Sequence, residues 1–259
     1  MESVQIVKSK GLSGSTLKLI AMISMLIDHG AFILFGPVLI ENGIYSVGNL
    51  SPDYIKELFA AGYVGYVYVA YQVMRRLVGR IAFPIYCFLL VEGFQRTGSR
   101  TKYALRLFLF ALISEIPFDL AFYGTVFDWN HGNVFFTLWI AFLMLYLWEA
   151  VKEKAENPWL IWGIDIIIFL AAVLSAEFIH CDYGAKGIIA IALLYMFRKE
   201  RKEQLIAGCV AFIWEITAPL AFIFVAFYNG KKGLKLKYIF YVFYPAHLLL
   251  LYLIHLKFL

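Results

Sequence analysis

Long apolar stretches separated by short polar ones dominate the pattern of this chain. A helix that crosses a bilayer needs about 20 mainly apolar residues. The stretches that reach or approach this length are Leu17–Ile40, Leu77–Phe94, Tyr103–Tyr123, Val134–Val151, Trp159–Phe178, Gly184–Phe197, Leu205–Tyr228 and Tyr238–Leu256. The segment Phe59–Met74 is rich in tyrosine and glycine, and we interpret it as an interfacial or partly embedded helix. The pattern predicts an all-α, polytopic transmembrane bundle of about 8–10 helices, built as a single domain over residues 1–259.

The composition supports a membrane protein. Hydrophobic residues occupy 62% of the 259 positions and charged residues 16%, whereas a globular domain has roughly 45–50% and about 25%. The excess apolar surface is expected to face lipid, which excludes ordinary soluble enzymes, disordered chains and disulfide scaffolds. Cys87, Cys181 and Cys209 are interpreted as buried small side chains. We expect no metal, because the adjacent His180, Cys181 and Asp182 do not fix a tetrahedral geometry, and no nucleic-acid partner.

Basic loops set the expected orientation, since Lys and Arg are retained on the cytoplasmic side. Three clusters share one side under simple alternation: Lys8, Lys10 and Lys18; Arg96, Arg100 and Lys102; and Arg198, Lys199, Arg201 and Lys202. We therefore expect a plasma-membrane protein with a cytoplasmic amino terminus. A fourth cluster falls on the opposite side if 205–228 crosses once: Lys231, Lys232, Lys235 and Lys237. Pro219 favours the alternative, a broken pair or re-entrant hairpin that returns these lysines to the cytoplasm.

Several ionisable residues fall inside the apolar stretches, where each charge costs at least about 2.5–3.5 kcal/mol on insertion scales. They are Asp28, His29, Arg80, Glu92, Arg106, Glu115, Asp119, Glu215 and His247. Such residues mark a functional site by default, and the alternative is that they form ion pairs that hold the bundle together. His247 follows Pro245 at the expected start of the last helix, where it is either an imidazole just inside the membrane or a packing histidine.

The spacing of Lys18 and His29 gives the sharpest prediction. Eleven residues of α-helix return to nearly the same face after a rise of about 16 Å, so one stripe would carry a cation near the cytoplasm and an imidazole at depth. This arrangement suits a long anionic substrate, with His29 as general base. The alternative for Lys18 is a snorkelling residue at the membrane surface. Asp28 lies about 100° away from His29 around the helix, so it is expected to act through another helix.

Seven blocks of the sequence resemble the TraX family of membrane proteins. They are Leu19–His29, Gly79–Phe94, Tyr103–Leu107 with Ser114–Asp119, Asn133–Leu138, Asp182–Gly184, Tyr228–Gly233 and Phe243–Leu248. The founding member acetylates the amino terminus of a conjugative pilin, and the family resembles integral-membrane acyltransferases in which Arg or Lys precedes a first-helix His by eleven positions. The resemblance implies an acyltransferase that takes acetyl-CoA or another acyl-CoA from the cytoplasm. It leaves the acceptor open: a protein amino terminus, a glycan or a lipid.

The resemblance and the intramembrane charges together give an expected site. His29 would be the catalytic base, with Asp28 orienting or charging its ring. The expected substrate-binding residues are Lys18, Arg80, Glu92, Arg106, Glu115, Asp119, Asn133, Asp182, Tyr244 and His247. Among these, the three cations would hold CoA phosphates or an oxyanion, and Tyr244 and His247 would close the cavity. Two other functions stay open: a proton-coupled transporter, and a non-catalytic assembly factor for surface appendages.

Overall fold

The computed structural model describes residues 11–45, 48–234 and 237–258, which form a helical bundle without a β-strand in these ranges. The helices are α1 Gly14–Gly30, α2 Gly36–Glu41, α3 Pro52–Ala60, α4 Tyr63–Gln72, α5 Ala82–Arg96, α6 Arg100–Tyr123, α7 Val134–Lys154, α8 Pro158–Phe178, α9 Gly184–Met196, α10 Arg201–Ala211, α11 Ala221–Ala226 and α12 Lys237–Phe258. The expectations for Lys8, Lys10, Lys235 and the Lys237 side chain lie outside what the structure describes. The predicted all-α class is confirmed.

Five helical stretches in the described ranges are long and apolar enough to cross a membrane. They are Gly14–Glu41, Tyr63–Arg96, Val134–Lys154, Pro158–Phe178 and Tyr238–Phe258. The protein is therefore a multi-pass membrane protein. Helix starts follow local chemistry, because a Ser or Asn side chain accepts a first-turn N–H at the beginning of several helices. These caps are Ser13, Ser51, Ser99, Asn133 and Asn157.

Phe59–Met74 does not form a separate helix, and its interfacial or partly embedded position stays a prediction. Helix α4 continues through a π-helical stretch, Val73–Val78, and a 3₁₀ turn into α5, giving one helix of 34 residues. At 1.5 Å per residue this helix is about 51 Å long and exceeds the hydrocarbon thickness of about 30 Å. Its protruding end packs with α2 and α3 around a small second core that includes Leu39 and Tyr68. Arg75 and Arg76 interrupt the apolar pattern, so the sequence did not indicate that the two stretches form one helix.

Residues 205–228 form the broken pair of short helices that was one of the two alternatives. Helix α10 ends at Ala211, the chain turns at 212–220, and α11 runs back. Tyr228 then forms a parallel bridge with Leu12, just before α1. The carbonyl of Lys231 accepts the Gly14 N–H at 2.8 Å. These contacts place the loop that contains Lys231 beside the amino end of α1, which is where the charge pattern predicted it.

The core lies around α5, whose side chains pack against α1, α7, α9 and α11. Ile85, Cys87, Phe88 and Val91 on this helix have no exposed surface. Cys87 and Cys181 are buried and Cys209 is half-buried, and all three are free thiols. This packing fixes the distance between α1 and the loop before α9, and so determines the width of the cavity described next.

Candidate functional site

An internal cavity of about 970 Å³, opening included, lies between α1, α5, α6, α7, α12 and the loop before α9. Lys18 lies at one end of its α1 wall, and Asp28 and His29 lie at the other. Both Lys18 and His29 face the cavity, so the stripe predicted from their spacing is present. The intervening wall is mostly apolar and aromatic, with tyrosine hydroxyls among the polar groups. These tyrosines are Tyr86, Tyr103, Tyr183, Tyr241 and Tyr244.

A hydrogen-bonded histidine pair lies at the deep end, where His29 lines the cavity and His247 lies behind it. His29 Nδ1 and His247 Nε2 are 2.7 Å apart, and His247 Nδ1 is 2.7 Å from the carbonyl oxygen of Phe243. A carbonyl oxygen only accepts, so His247 Nδ1 carries the hydrogen and, in the neutral pair, its Nε2 is an acceptor. His29 Nδ1–H then donates to it. The remaining nitrogen, His29 Nε2, therefore holds a free lone pair, which is the state that a general base requires.

The position of His247 differs from the helix start expected after Pro245. Helix α12 begins at Lys237, so Pro245 lies two turns inside it and His247 lies deeper along the helix than predicted. A proline inside a helix removes one backbone hydrogen bond and loosens that turn. The His247 ring projects from this turn, is only 4% exposed and is nearly coplanar with His29, with 9° between the ring planes.

Asp28 reaches a neighbouring helix, as its position on α1 predicted. Its Oδ1 accepts a hydrogen bond from Arg75 Nε at 3.4 Å, and Arg75 also donates to the Tyr71 hydroxyl at 3.1 Å. Arg75 lies in the π-helical stretch, whose wide turn is typical of functional sites. Close approach here depends on Gly79, since a Cβ at that position would lie 2.3 Å from Asp28 Oδ1. Sequence reasoning missed Arg75, because nothing local links it to Asp28.

Asp182 brings a second carboxyl to the deep end of the cavity. It lies in the loop between α8 and α9, where its backbone N–H donates to the Gly132 carbonyl at 2.7 Å and its own carbonyl accepts the Thr137 hydroxyl. Asp182 lines the cavity, and much of its surface is exposed to that space, while the surrounding protein shields the carboxyl from bulk water. This desolvation, followed by repulsion from Asp28, raises its pKa to about 6, while the charge of Arg80 opposes the shift. With this pKa the Asp182 carboxyl is about half protonated near pH 6.

Tyr183 continues this loop in a left-handed conformation, with φ of 67°. Its ring stacks on Phe83 of α5 with 3.6 Å between the ring centroids. A positive φ is uncommon for a bulky residue and marks a position that its surroundings hold in place. The Asp182-Tyr183-Gly184 triplet was visible in the sequence, but only the fold shows that Tyr183 forms part of the cavity wall.

The three predicted cations lie in different places. Lys18 Nζ is 4.8 Å from the centre of the Phe240 ring, and it forms no ion pair with the described residues. Arg80 pairs with Glu215 at the tip of the hairpin, with 3.2 Å between Nε and Oε1. Arg106 lies with its guanidinium 5.5 Å from the Tyr103 ring. Of the three, only Lys18 faces the cavity directly.

Four predicted substrate-binding residues make structural contacts elsewhere. Glu92 lies between Arg96 at 3.0 Å and Arg201 at 3.8 Å. Asn133 caps α7 and donates to Glu115 at 2.5 Å and to the Ala111 carbonyl at 2.8 Å. Asp119 accepts the backbone N–H of Asp128 at 2.8 Å. A role in substrate binding for Glu92, Glu115, Asp119 and Asn133 stays a prediction, and the cavity wall does not include them.

The fold and the cavity define a polytopic helical membrane protein in which Lys18 and His29 line one internal chamber, with His247 behind His29 at 2.7 Å. Residues 13–255 match the family model described as TraX protein, so the chain belongs to the TraX family, as its motifs predicted. A relative from Dichelobacter nodosus, named probable fimbrial assembly protein FimC, serogroup H1, is 29% identical over 269 residues, covering 92% of this chain and 94% of the relative. No solved structure matches the chain.

Proposed function

We propose that the protein is an acyltransferase that moves an acetyl or other acyl group from acyl-CoA to an amine or hydroxyl. The observation that supports this proposal best is the lone pair of His29 Nε2 at the deep end of the cavity. The contact from His29 Nδ1 to His247, and from His247 to the Phe243 carbonyl, fixes that tautomer. A base held in one tautomer by a second group is the usual arrangement for activating a hydroxyl or amine.

In the proposed reaction the acceptor nitrogen or oxygen bonds to the thioester carbonyl carbon while its proton passes to His29 Nε2. The tetrahedral intermediate then collapses, and the carbon–sulfur bond breaks. CoA leaves as a thiolate, which takes the proton from the imidazolium. The net change is one acyl group transferred and one CoA thiol released, with the histidine pair returned to its starting state.

The charges around His29 suit the developing oxyanion. The field of Arg75 and Arg80 reaches both His29 and Asp28. Cations fixed beside a chamber of low dielectric stabilise a negative oxygen more than they would in water. Asp28 and Glu215 hold the two guanidinium groups in place through their ion pairs. Lys18 at the other end of α1 is positioned for the phosphates of CoA, and the apolar wall between suits the uncharged part of the donor.

The decisive experiment measures radiolabelled acetyl transfer and acetyl-CoA hydrolysis by the purified full chain in nanodiscs. His29→Ala should lower turnover by roughly 10²–10⁴-fold, the usual contribution of a general base. The matched control is His180→Asn, because His180 is an exposed loop histidine with a positive φ that Asn tolerates. Turnover by His29→Ala equal to that of the control would remove the proposal.

A non-catalytic role as an assembly factor for surface appendages is the second candidate. The name of the Dichelobacter nodosus relative, a probable fimbrial assembly protein, favours it. The two roles separate in a deletion strain complemented with His29→Ala, with surface appendages counted by electron microscopy. Full restoration by this variant would support the assembly role, whereas restoration only by the wild-type chain would support acyl transfer.

We further propose that the chain lies in the plasma membrane with its amino end in the cytoplasm. The loop containing Lys231 and Lys232 packs beside that end, and basic loops are retained inside. A cysteine placed at exposed Lys202 should react with an impermeant maleimide only after the membrane is opened. Labelling in intact cells would reverse this orientation.

A further inference from the structure

A second cavity lies on the outside of the bundle between α7, α8 and α9, with about 1360 Å³ including its opening. The only buried residues of α8 are Ala172 and Ala176, both in its carboxyl half. Its amino half, by contrast, exposes Trp162 at 63% and Ile166 at 53%. Helix α8 thus packs closely at one end only, and the other end leaves a groove open to the surrounding bilayer. We call this the α7–α9 groove.

The walls of the α7–α9 groove are mostly apolar, with Asp165 of α8 as an acidic exception. Ile161 and Phe169 line it from α8, and Ile189 and Leu193 line it from α9. Protein interiors leave few voids larger than a water molecule. Apolar walls offer water few hydrogen-bond partners, so water is a poor filler for this groove. In a membrane the natural filler is an acyl chain, which matches the walls in polarity and follows the helix direction.

One end of the groove is basic. Lys152 at the end of α7, and Arg198 and Lys199 after α9, line this end. Glu149 pairs with Lys152 at 3.3 Å and with Arg198 at 3.7 Å, while Lys199 has no ion pair within the described chain. A net positive charge remains even when Glu149 and Asp165 are counted. Such basic pockets between transmembrane helices are suited to anionic lipid headgroups.

Tryptophans place the basic end at the level of the headgroups. Trp159 is 86% exposed and Trp162 is 63% exposed in the first turn or so of α8. Tryptophan is enriched in membrane helices at the boundary between hydrocarbon and water. The three cations, at the adjacent ends of α7 and α9, therefore lie where a lipid phosphate would be. The apolar walls extend from there toward the hydrocarbon.

We propose that the α7–α9 groove binds one anionic phospholipid, with its phosphate at Lys152, Arg198 and Lys199 and an acyl chain between α8 and α9. This site is separate from the histidine cavity and does not depend on the reaction proposed there. Its occupant would also support the amino half of α8, which lacks buried side chains of its own.

The test is native mass spectrometry of the full chain released from detergent, with phosphatidylglycerol or phosphatidylcholine that carry the same acyl chains. We expect one phosphatidylglycerol to stay bound per chain and phosphatidylcholine to be lost. The double variant Arg198→Gln with Lys199→Gln should bind phosphatidylglycerol about thirtyfold more weakly, since one cation near an anionic lipid contributes roughly fivefold. The matched control is Lys102→Gln with Lys202→Gln, which removes two exposed cations outside the groove and should bind as the wild type does.

Replacing Arg198 also removes its hydrogen bond to the Tyr195 carbonyl at 2.8 Å. A second variant is therefore needed that leaves the charges in place. Leu193→Trp fills the groove and should abolish retention of phosphatidylglycerol while leaving the thermal midpoint within a few degrees. Equal retention of the two lipids by the wild type would overturn the proposal. Three other results would also overturn it. They are retention of phosphatidylglycerol by Leu193→Trp, displacement of the lipid by equimolar glycerol phosphate, and detection of the chain as a dimer without bound lipid.

Discussion

At Gly79 the continuous helix Tyr63–Arg96, here called the α4–α5 helix, approaches α1 closely beside Asp28. A Cβ built there lies 2.3 Å from Asp28 Oδ1, 2.6 Å from Asp28 Cβ and 2.7 Å from Asp28 Cγ. These three atoms of the Asp28 side chain would therefore have to move. Because the same Oδ1 accepts from Arg75 at 3.4 Å, Gly79→Ala would also break or lengthen that ion pair.

The expected cost follows from two opposing terms. Overpacking of a well-packed position costs about 1–3 kcal/mol, and the disturbed Asp28–Arg75 pair adds to it because both side chains are largely buried. Replacing a helical glycine by alanine returns at most about 1 kcal/mol. A net loss of about 2 kcal/mol in the free energy of unfolding remains, which corresponds to a fall of roughly 4–8 °C in the thermal midpoint for a chain of this size.

The assay is a thermal scan of tryptophan fluorescence in detergent, together with acetyl-CoA turnover. Gly163→Ala is the matched control, since a Cβ at this α8 glycine would meet no atom within 4 Å outside its own helix. The control should keep or raise the midpoint and keep turnover. A midpoint for Gly79→Ala equal to or above that of Gly163→Ala would refute the close packing between α1 and the α4–α5 helix.

Three further predictions concern parts of the fold that support the site. Asn133→Ala removes the α7 cap, a buried hydrogen bond to Ala111 and a part-buried one to Glu115. Denaturant titration should show a loss of about 3 kcal/mol in the free energy of unfolding, against about 1 kcal/mol for the exposed α8 cap variant Asn157→Ala. Asp182→Asn should raise the thermal midpoint above pH of about 6 and leave it unchanged near pH 4, measured in scans at several pH values. Gly208→Ala places a Cβ 2.2 Å from the Phe222 ring and should lower the midpoint by roughly 4–8 °C.

The sign for Asp182 follows from linkage. Its pKa is raised from 3.8 to about 6 in the folded chain, so the folded state binds the proton more tightly than the unfolded state. Stability from this group is present below pH of about 4 and is lost as the pH rises to 6. Asn carries no charge and avoids that loss. A midpoint difference that does not change with pH would contradict the desolvation of this carboxyl by the surrounding protein.

Contrary outcomes for the other two variants are equally direct. If Asn133→Ala costs no more than Asn157→Ala, the buried contacts of Asn133 with Glu115 and α6 add nothing to the cap. If Gly208→Ala leaves the midpoint unchanged, α10 and α11 do not pack as closely as the hairpin requires.

The sequence by itself determined the class of protein and one wall of the site. Apolar stretches of membrane length require helices, because lipid offers the backbone no hydrogen-bond partners. The spacing of Lys18 and His29 placed both on one face of α1, since the helical repeat is fixed by backbone geometry. The basic loops and Pro219 likewise favoured a return of 205–228 over a single crossing, because charge retention and the missing N–H of proline are local properties.

The tertiary structure alone decided what surrounds His29. His247 follows His29 by 218 positions and Arg75 follows Asp28 by 47. Asp182 comes about 150 positions after Asp28, and no local propensity connects residues so far apart. Only packing of α12, the π-helical stretch and the α8–α9 loop against α1 brings them together. The tautomer of His29 is likewise a consequence of that packing. The ring nitrogen that donates to a neighbouring acceptor carries the hydrogen, and the other nitrogen keeps its lone pair.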